Sequence, residues 1–279
     1  MAVKVITDST ADLSPELVKK LGIGVVPIYV RFGSDVYRDG VDLSSDEFFK
    51  KLTGSTPHPA TSQPTPADFS GIYSKYSKNT DGIISIHISS KISGTYNSAL
   101  LAKAMFEPAC PIEVVDSMFN SGGLALVVLA AARLARRGKS LPEVLEETHK
   151  AIRQIEMLGM FDTMKYLARS GRINRAIAAT GNILNVKPLL TFQNGEIVRA
   201  GMVRAVSRGM DQLYDFVSSK KNIRELIIVH SAAPERAEAL RARLDSVFPA
   251  EKITVLKMGA ALGANGGPGV ILVALRVGG

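Results

Sequence analysis

Short apolar runs rich in β-branched residues recur along the first half of the chain, and amphipathic stretches separate them. The runs are VKVIT (3–7), VVPIYV (25–30), GIISIHIS (82–89) and IEVVDS (112–117). Their alternation with helical patterns predicts the βαβ rhythm of a parallel sheet. Helix starts are marked by a cap followed by a first-turn proline or glutamate: Ser14-Pro15, Thr65-Pro66, and Ser140 with Pro142 and Glu143. Ser44 to Glu47 reads as a capping box. Residues 121–137 are Ala-rich, poor in β-branched residues and stop before Gly138, which predicts a buried helix ending on a glycine.

Beyond a junction helix predicted over about 142–156 the pattern changes. MLGMFDT (157–163) and a short helix ending at Gly171 come first. VKPLLTF and EIVRAGMVR then flank Gln193-Asn194-Gly195, and Asn-Gly between two strand-like runs predicts a hairpin. ELIIVHS (225–231), a helix over 234–248, KITVLKM (252–258) and GVILVALR (269–276) complete a second unit. The expected architecture is two α/β domains with a ligand cleft between them. Residues 1–157 form an N-terminal parallel sheet with flanking helices, and residues 158–279 form a mixed α/β domain. No repeat of solenoid spacing is present.

Composition narrows the class. With 46% hydrophobic and 22% charged residues the chain is built to fold. A single thiol, Cys110, can neither close an intrachain disulfide nor assemble a zinc site, which fits a reducing cytosol and no metal cofactor. The first residues show no basic n-region or apolar h-region. The longest apolar run, 122–132, is well short of the roughly 20 residues that span a bilayer. A cytoplasmic protein with no integral membrane segment is expected.

The net charge of +8 is unevenly placed: residues 1–157 hold 17 Lys and Arg against 17 Asp and Glu, whereas residues 158–279 hold 17 against 9. Between 163 and 208, Lys165, Arg169, Arg172, Arg175, Lys187, Arg199, Arg204 and Arg208 face only Glu196. Such a segment suits either a solvated face or a surface for an anionic ligand or an acidic partner.

The sequence has no GxSxG elbow, no HExxH, no phosphate-binding GxxxxGK[ST] and no GxGxxG after the first strand. His58, His87, His149 and His230 lack a nucleophile or carboxylate at motif spacing and read as structural. Two hydroxyl-rich turns stand out, each leading into a helix. One is Ala60-Thr61-Ser62-Gln63-Pro64-Thr65, and the other runs from Ser89 through Ser93-Gly94-Thr95 to Ser98. Strand-to-helix turns of a parallel sheet gather at its carboxyl edge, where free N–H groups favour an anion and neighbouring hydroxyls can donate to it. Both turns carry more hydroxyls than capping requires. A Gly-rich loop, 259–269, precedes the final strand and offers either a close backbone approach to a ligand or a tight turn.

Together these residues resemble a known family. Asp8-Ser9-Thr10-Ala11-Asp12-Leu13, Thr61-Ser62-Gln63-Pro64, the Ser89 to Ser98 turn, Tyr166-Leu167 with Gly171-Arg172-Ile173, Asn185-Val186-Lys187-Pro188 and the late Gly267-Pro268-Gly269 occur end to end, in the order found in the DegV family of bacterial fatty-acid-binding proteins. The resemblance implies two α/β domains enclosing one long-chain fatty acid such as palmitate, with the carboxylate on Thr61 and Ser93. It implies a lipid-binding protein without turnover of its own, serving lipid transport or the fatty-acid-carrying role beside a separate ATP-binding subunit of a fatty acid kinase. Ser62, Gly94, Arg204 and Asn265 are the further ligand or phosphotransfer candidates. Arg204, the arginine after the hairpin, is the one the resemblance links to the kinase reaction. Asn265 departs from the family, which often has His there; asparagine hydrogen-bonds a carboxylate but neither carries positive charge nor shuttles a proton.

The residues themselves agree, since an acyl chain needs a small polar cradle and a long apolar tunnel. Ile28, Val30, Phe32, Met118, Phe119, Leu124 and 183–186 are candidate tunnel segments that ordinary core packing explains as well. The alternative class is a serine-type acyl-ester hydrolase using Ser93, which lacks a histidine at recognisable spacing. Nucleic-acid binding is disfavoured, because the basic segment holds only Tyr166 and Phe192 as aromatics.

Overall fold

The computed structural model describes residues 3–54, 58–105, 107–172 and 186–278. Strands β1 (Lys4–Asp8), β2 (Gly24–Val26), β6 (Ile83–His87) and β7 (Ile112–Asp116) form the expected parallel sheet, in the order β2-β1-β6-β7. Helices α3 (Pro66–Ser77) and α4 (Thr95–Met105) cover one face, where Phe69, Tyr73 and Ala99 pack on Ile6 and Ile83. On the other face lie α1 (Pro15–Leu21), α5 (Ser121–Arg136) and α6 (Leu141–Gln154).

The run VVPIYV is not one strand. Pro27 has no N–H to give a ladder, and the chain leaves the parallel sheet there. Ile28 donates its N–H to the Ser9 hydroxyl at 3.0 Å. The remainder, β3 (Tyr29–Phe32), joins β4 (Asp35–Arg38) and β5 (Ala60–Ser62) in a small antiparallel sheet ordered β4-β3-β5.

The second large sheet begins at Ile155, directly after α6. Its order is β10 (Glu196–Val203), β9 (Lys187–Gln193), β8 (Ile155–Met160), β13 (Ile271–Val277), β11 (Ile223–His230) and β12 (Thr254–Lys257). All neighbours are antiparallel except β11 and β12. Asn194 and Gly195 make the β9–β10 turn with φ of 52° and 83°, the left-handed pair that a two-residue hairpin demands. A bulge interrupts β10 between Arg199 and Gly201. The short α7 (Lys165–Ser170) ends on Gly171, and α8 (Val206–Ser218) and α9 (Pro234–Arg243) cover the outer face. The α-helix expected over 234–248 stops at Arg243 and continues only as a 3-10 turn, Leu244–Ser246.

Helix α5 sits between the two large sheets. Apart from Arg133, Leu134 and Arg136 it is buried throughout, and one core joins it to Val5, Ile84 and Ile86 of the first sheet and to Met157, Val229 and Ala274 of the second. Its first turn needs glycine: a Cβ on Gly123 would lie 2.4 Å from Met157 Sδ, and one on Gly122 would lie 3.0 Å from the Ala274 methyl.

The Gly-rich 259–269 stretch is the clearest difference from expectation, because Ala260–Gly266 forms a helix, α10. Apolar Ala260, Ala261, Leu262 and Ala264 are all buried, and a Cβ on Gly263 would come within 2.8 Å of the Phe48 and Phe49 rings of α2 (Ser45–Gly54). That glycine admits close packing of two helices rather than a ligand.

Two buried carboxylates from the first half hold the start of α10. Asp12, itself at φ 52°, accepts from Gly259 N at 2.7 Å and from the Ser121 hydroxyl at 2.6 Å, while Asp39 accepts from Ala260 N at 2.9 Å. A Cβ on Gly259 would sit 3.1–3.2 Å from both carboxylates, so glycine is needed where they converge. Burial is the main reason that Asp12 rises from 3.8 to about 8 and Asp39 to about 6.

The folded protein therefore keeps a proton on Asp12 that the unfolded chain releases. The stability this contributes is complete below about pH 4 and is lost as pH rises to about 8. Asp12→Asn removes the titration. In urea unfolding between pH 6 and 8, above the Asp39 range, parent stability should fall more steeply than that of the variant by ~1 kcal/mol per pH unit. Parallel profiles would place the proton elsewhere.

Candidate functional site

Loops that follow the parallel strands meet α10 and the second sheet at one cavity, the position that open parallel sheets reserve for ligands. Thr10 follows β1, Ile88, Ile92 and Ser93 follow β6, and Asn120 follows β7; β5 adds Thr61 and Ser62, and α10 adds Ala261, Leu262 and Asn265. The cavity encloses about 810 Å³ of empty space, open mouth included. Its lining combines hydroxyl, amide and guanidinium groups with apolar residues, among them Ile28, Phe161, Leu167, Ile197 and Leu272.

Each polar group has a local reason for its place. Thr65 caps α3 in a reciprocal box with Asp68, so the capping role falls on Thr65 and not on Thr61. Thr61 instead pairs with Val30 in the small sheet. Ser93 shares a 2.8 Å hydrogen bond with the Thr95 hydroxyl and accepts from Thr95 N at 3.3 Å, at the start of α4. Gly94 allows the two turns to close on each other. A Cβ there would lie 2.1 Å from Gln63 Oε1, and the Gln63 amide crosses this point to donate to Ser98 Oγ at 3.2 Å. Asn265 donates to the Ala261 carbonyl of its own helix at 2.9 Å.

Thr10 is fixed from behind. Its hydroxyl and N–H both donate to Asp8 Oδ1, and Asp8 Oδ2 accepts from Ile88 N at 3.0 Å and lies 3.0 Å from His87 Nδ1. His87 Nε2 is 2.7 Å from Ser85 Oγ, to which Tyr73 donates. Ser85, His87 and Asp8 thus stand in the order of a hydrolytic triad, yet all three are fully buried and Ser85 faces Tyr73 rather than the cavity. Among the described residues no histidine bonds Ser93. His58 Nε2 is 3.2 Å from the Ala264 carbonyl, its ring lies against Tyr166, and burial holds its pKa below the usual histidine value.

The structure thus brings Thr61, Ser62, Ser93 and Asn265 to one cavity, whereas Gly94 is not among its lining residues and lies against the Gln63 amide. Arg204 is elsewhere. It is exposed at the end of β10 and lines a separate groove with Arg208, Asp211 and Arg243. Arg172, read from sequence as part of the basic run and of the Gly171-Arg172-Ile173 motif, lines the cavity; Lys187, from the same run, is paired with Asp162 at 3.0 Å. Thr10, Gln63 and Asn120 were missed as lining residues, though Thr10 and Gln63 lie inside quoted motifs. Of the tunnel candidates, Ile28 lines the cavity, Val30 and Phe32 pack with Phe48, and Phe119 and Leu124 belong to the central core beside Met118. Residues 183–185, with Ile173 and Arg175, lie outside the described residues. The described residues contain no cluster of three or more metal-ligating side chains and no helix long and apolar enough to cross a membrane.

Comparison with known proteins gives a consistent answer. The family model "Uncharacterised protein, DegV family" matches residues 2–276. A DegV domain-containing protein of Deinococcus radiodurans is 34% identical over 280 residues, covering 99% of each chain. A DegV family protein from Thermus thermophilus, described for its fatty acid binding, superposes with a TM-score of 0.89 at 34% identity, over 99% of this chain and 100% of that one. DegV of Bacillus subtilis, described as a fatty acid binding protein, gives 0.89 at 27% identity over the whole of both chains.

The hydroxyl of Ser93 has Thr95 where a hydrolase needs an imidazole. Purified protein mixed with a chromogenic acyl ester should therefore release no more chromophore than Ser93→Ala does. A rate for the parent above that of the variant would restore Ser93 as a nucleophile.

Proposed function

The chain belongs to the DegV family, and we propose that it binds one long-chain fatty acid, with the carboxylate on Thr61 and Ser93 and the acyl chain along the apolar part of the cavity. The observation that supports this reading is the presence of those two hydroxyls, one from a strand and one from a helix start, at one cavity whose lining also includes the apolar Ile28, Ile88, Ile92, Leu167, Ile197 and Leu272. Burying an acyl chain contributes about 0.8 kcal/mol per methylene, enough over a long chain to offset the desolvation of one carboxylate held by hydrogen bonds. Solved relatives described as fatty-acid-binding support the choice of ligand class. A binding role without turnover is part of the same reading, supported by the donors that the cavity offers an anion and by Ser93 having Thr95, and no histidine among the described residues, as its hydrogen-bond partner.

The finer reading is that the protein presents the bound carboxylate to an ATP-binding kinase subunit. Arg204, Arg208 and Arg243 line an exposed groove apart from the cavity, and charges so placed steer an acidic partner more than they hold it. Arg172 and Asn265 are the lining side chains that would sit near the acid's head group. Asn265 can donate to it but cannot move a proton.

Each of the two readings has its own test. Removing both hydroxyls leaves a charged acceptor short of partners, at roughly 1.5–3 kcal/mol each. The double variant Thr61→Ala, Ser93→Ala should lose more than tenfold in affinity in a fluorescent fatty-acid displacement assay, and binding within twofold of the parent would move the carboxylate elsewhere. For the kinase reading, Arg204→Glu should slow association with an ATP-binding fatty acid kinase subunit, as added salt should, while displacement of the fatty acid stays at the parent value. Equal association rates would return Arg204 to a solvated face.

A further inference from the structure

The turn that carries Ser93 is held from two sides. On its own sheet, Ser89 N–H donates to the Phe119 carbonyl at 2.9 Å and Ser90 N–H donates to Asp116 Oδ2 at 3.1 Å, both acceptors standing at or just after the end of β7. From the second sheet comes the tip of the β9–β10 hairpin, where the fully buried Ser89 hydroxyl donates to the Gly195 carbonyl at 2.7 Å. Phe192 of β9 meets Phe119 with ring centroids 5.7 Å apart. The approach of the tip leaves no room for a side chain. Gly195 is itself buried at φ 83°, and a Cβ there would lie 2.7 Å from Ser89 Oγ, 3.2 Å from Lys91 Cγ and 3.3 Å from Met118 Sδ. The glycine that the hairpin turn needs for its dihedral is thus also needed for contact with the other unit.

Ser89 passes this anchorage on to Ser93. Its hydroxyl accepts from Lys91 N at 3.3 Å, and its carbonyl accepts from Ile92 N and Ser93 N, both at 3.1 Å. Ile92 and Ser93 line the cavity, as does Ile197, two residues past Gly195 on β10, whereas Ser89 is not among the lining residues. A donor that meets a ligand is effective when its own backbone is held in place beforehand by groups behind it.

We propose that Ser89 is a positioning residue for the fatty-acid carboxylate: tied to the second unit through Gly195, it holds the turn so that the Ser93 hydroxyl meets the carboxylate already oriented. This rests on the carboxylate placement of the preceding subsection and adds to it the tie between the two units on which that donor depends.

A double-mutant cycle tests it, with palmitate isotope-labelled at its carboxyl carbon, bound to the whole protein and followed by displacement and by NMR. Ser89→Ala should weaken binding about fivefold in the parent but by less than about twofold when Ser93 is already alanine, because residues that act through one another are not additive. The bound carboxyl resonance in Ser89→Ala should move toward its position in Ser93→Ala, a change that lost fold stability alone does not produce. If Ser89→Ala fails to fold, Gly195→Ala, whose methyl would press on Ser89 Oγ, goes through the same cycle. With Ser93→Ala itself weakened, additive losses or a carboxyl resonance unmoved from the parent would overturn the positioning role alone. Parent affinity in Ser93→Ala would overturn the carboxylate placement, and the positioning role with it.

Discussion

A helix buried along all but its last turn has to be covered on nearly every side, and α5 obtains most of that cover by lying between two sheets. Much else follows from this. The glycines of its first turn bring β13 and β8 close, and Ser121 at its start ties it to Asp12. The parallel sheet and the mixed sheet share one continuous hydrophobic core through it. Neither sheet could bury its inner face with α5 removed, so the two α/β units, although distinct in topology, are not independent in energy.

Because the sheets are held apart by a helix, their loops cannot close directly on one another at the end where α5 begins. The gap is filled by α10, which meets α2, α7 and the small sheet, and the candidate cavity is bounded by what α10 and the strand-following loops leave between them. This accounts for the mixed chemistry of the lining. Hydroxyls come from the starts of helices and from a short strand whose pairing is antiparallel, while aliphatic side chains come from the loops around Ile28, Ile88 and Ile92, from α7 and α10, and from β10 and β13. The carboxylates that anchor α10 stay at its first residues, away from Asn265 and Leu262, so an incoming carboxylate would not share its cavity lining with Asp12 or Asp39.

Periodicity and punctuation made much of the fold legible. The Asn194-Gly195 hairpin, the capped helix starts and the buried 121–137 helix follow from local chemistry that tertiary contacts reinforce. VVPIYV misled because a proline inside an apolar run can mark a change of sheet as well as an edge. The glycines of 259–269 misled because glycine permits both loops and very close helix packing, and only the Phe48 and Phe49 rings decide between them. At the site, the hydroxyl excess around Thr61 and Ser93 was readable because Thr65 already suffices as a cap. Arg172 and Arg204 look alike in a basic run; which one faces inward is set by the turn after α7 and the end of β10, and charge counting cannot see that.

The bulge in β10 has a meaning of its own. An open sheet must end somewhere, and an eight-residue strand that is outermost among the described residues is where another chain could add itself. The register shift between Arg199 and Gly201 breaks the regular spacing that such an addition would need, and exposed Arg199 and Arg204 make like-charged strands repel. At the opposite margin β12 is only four residues long and ends on Lys257. Part of the positive charge of the second half thereby acts as protection against edge-to-edge aggregation, a duty that would persist whatever the protein carries.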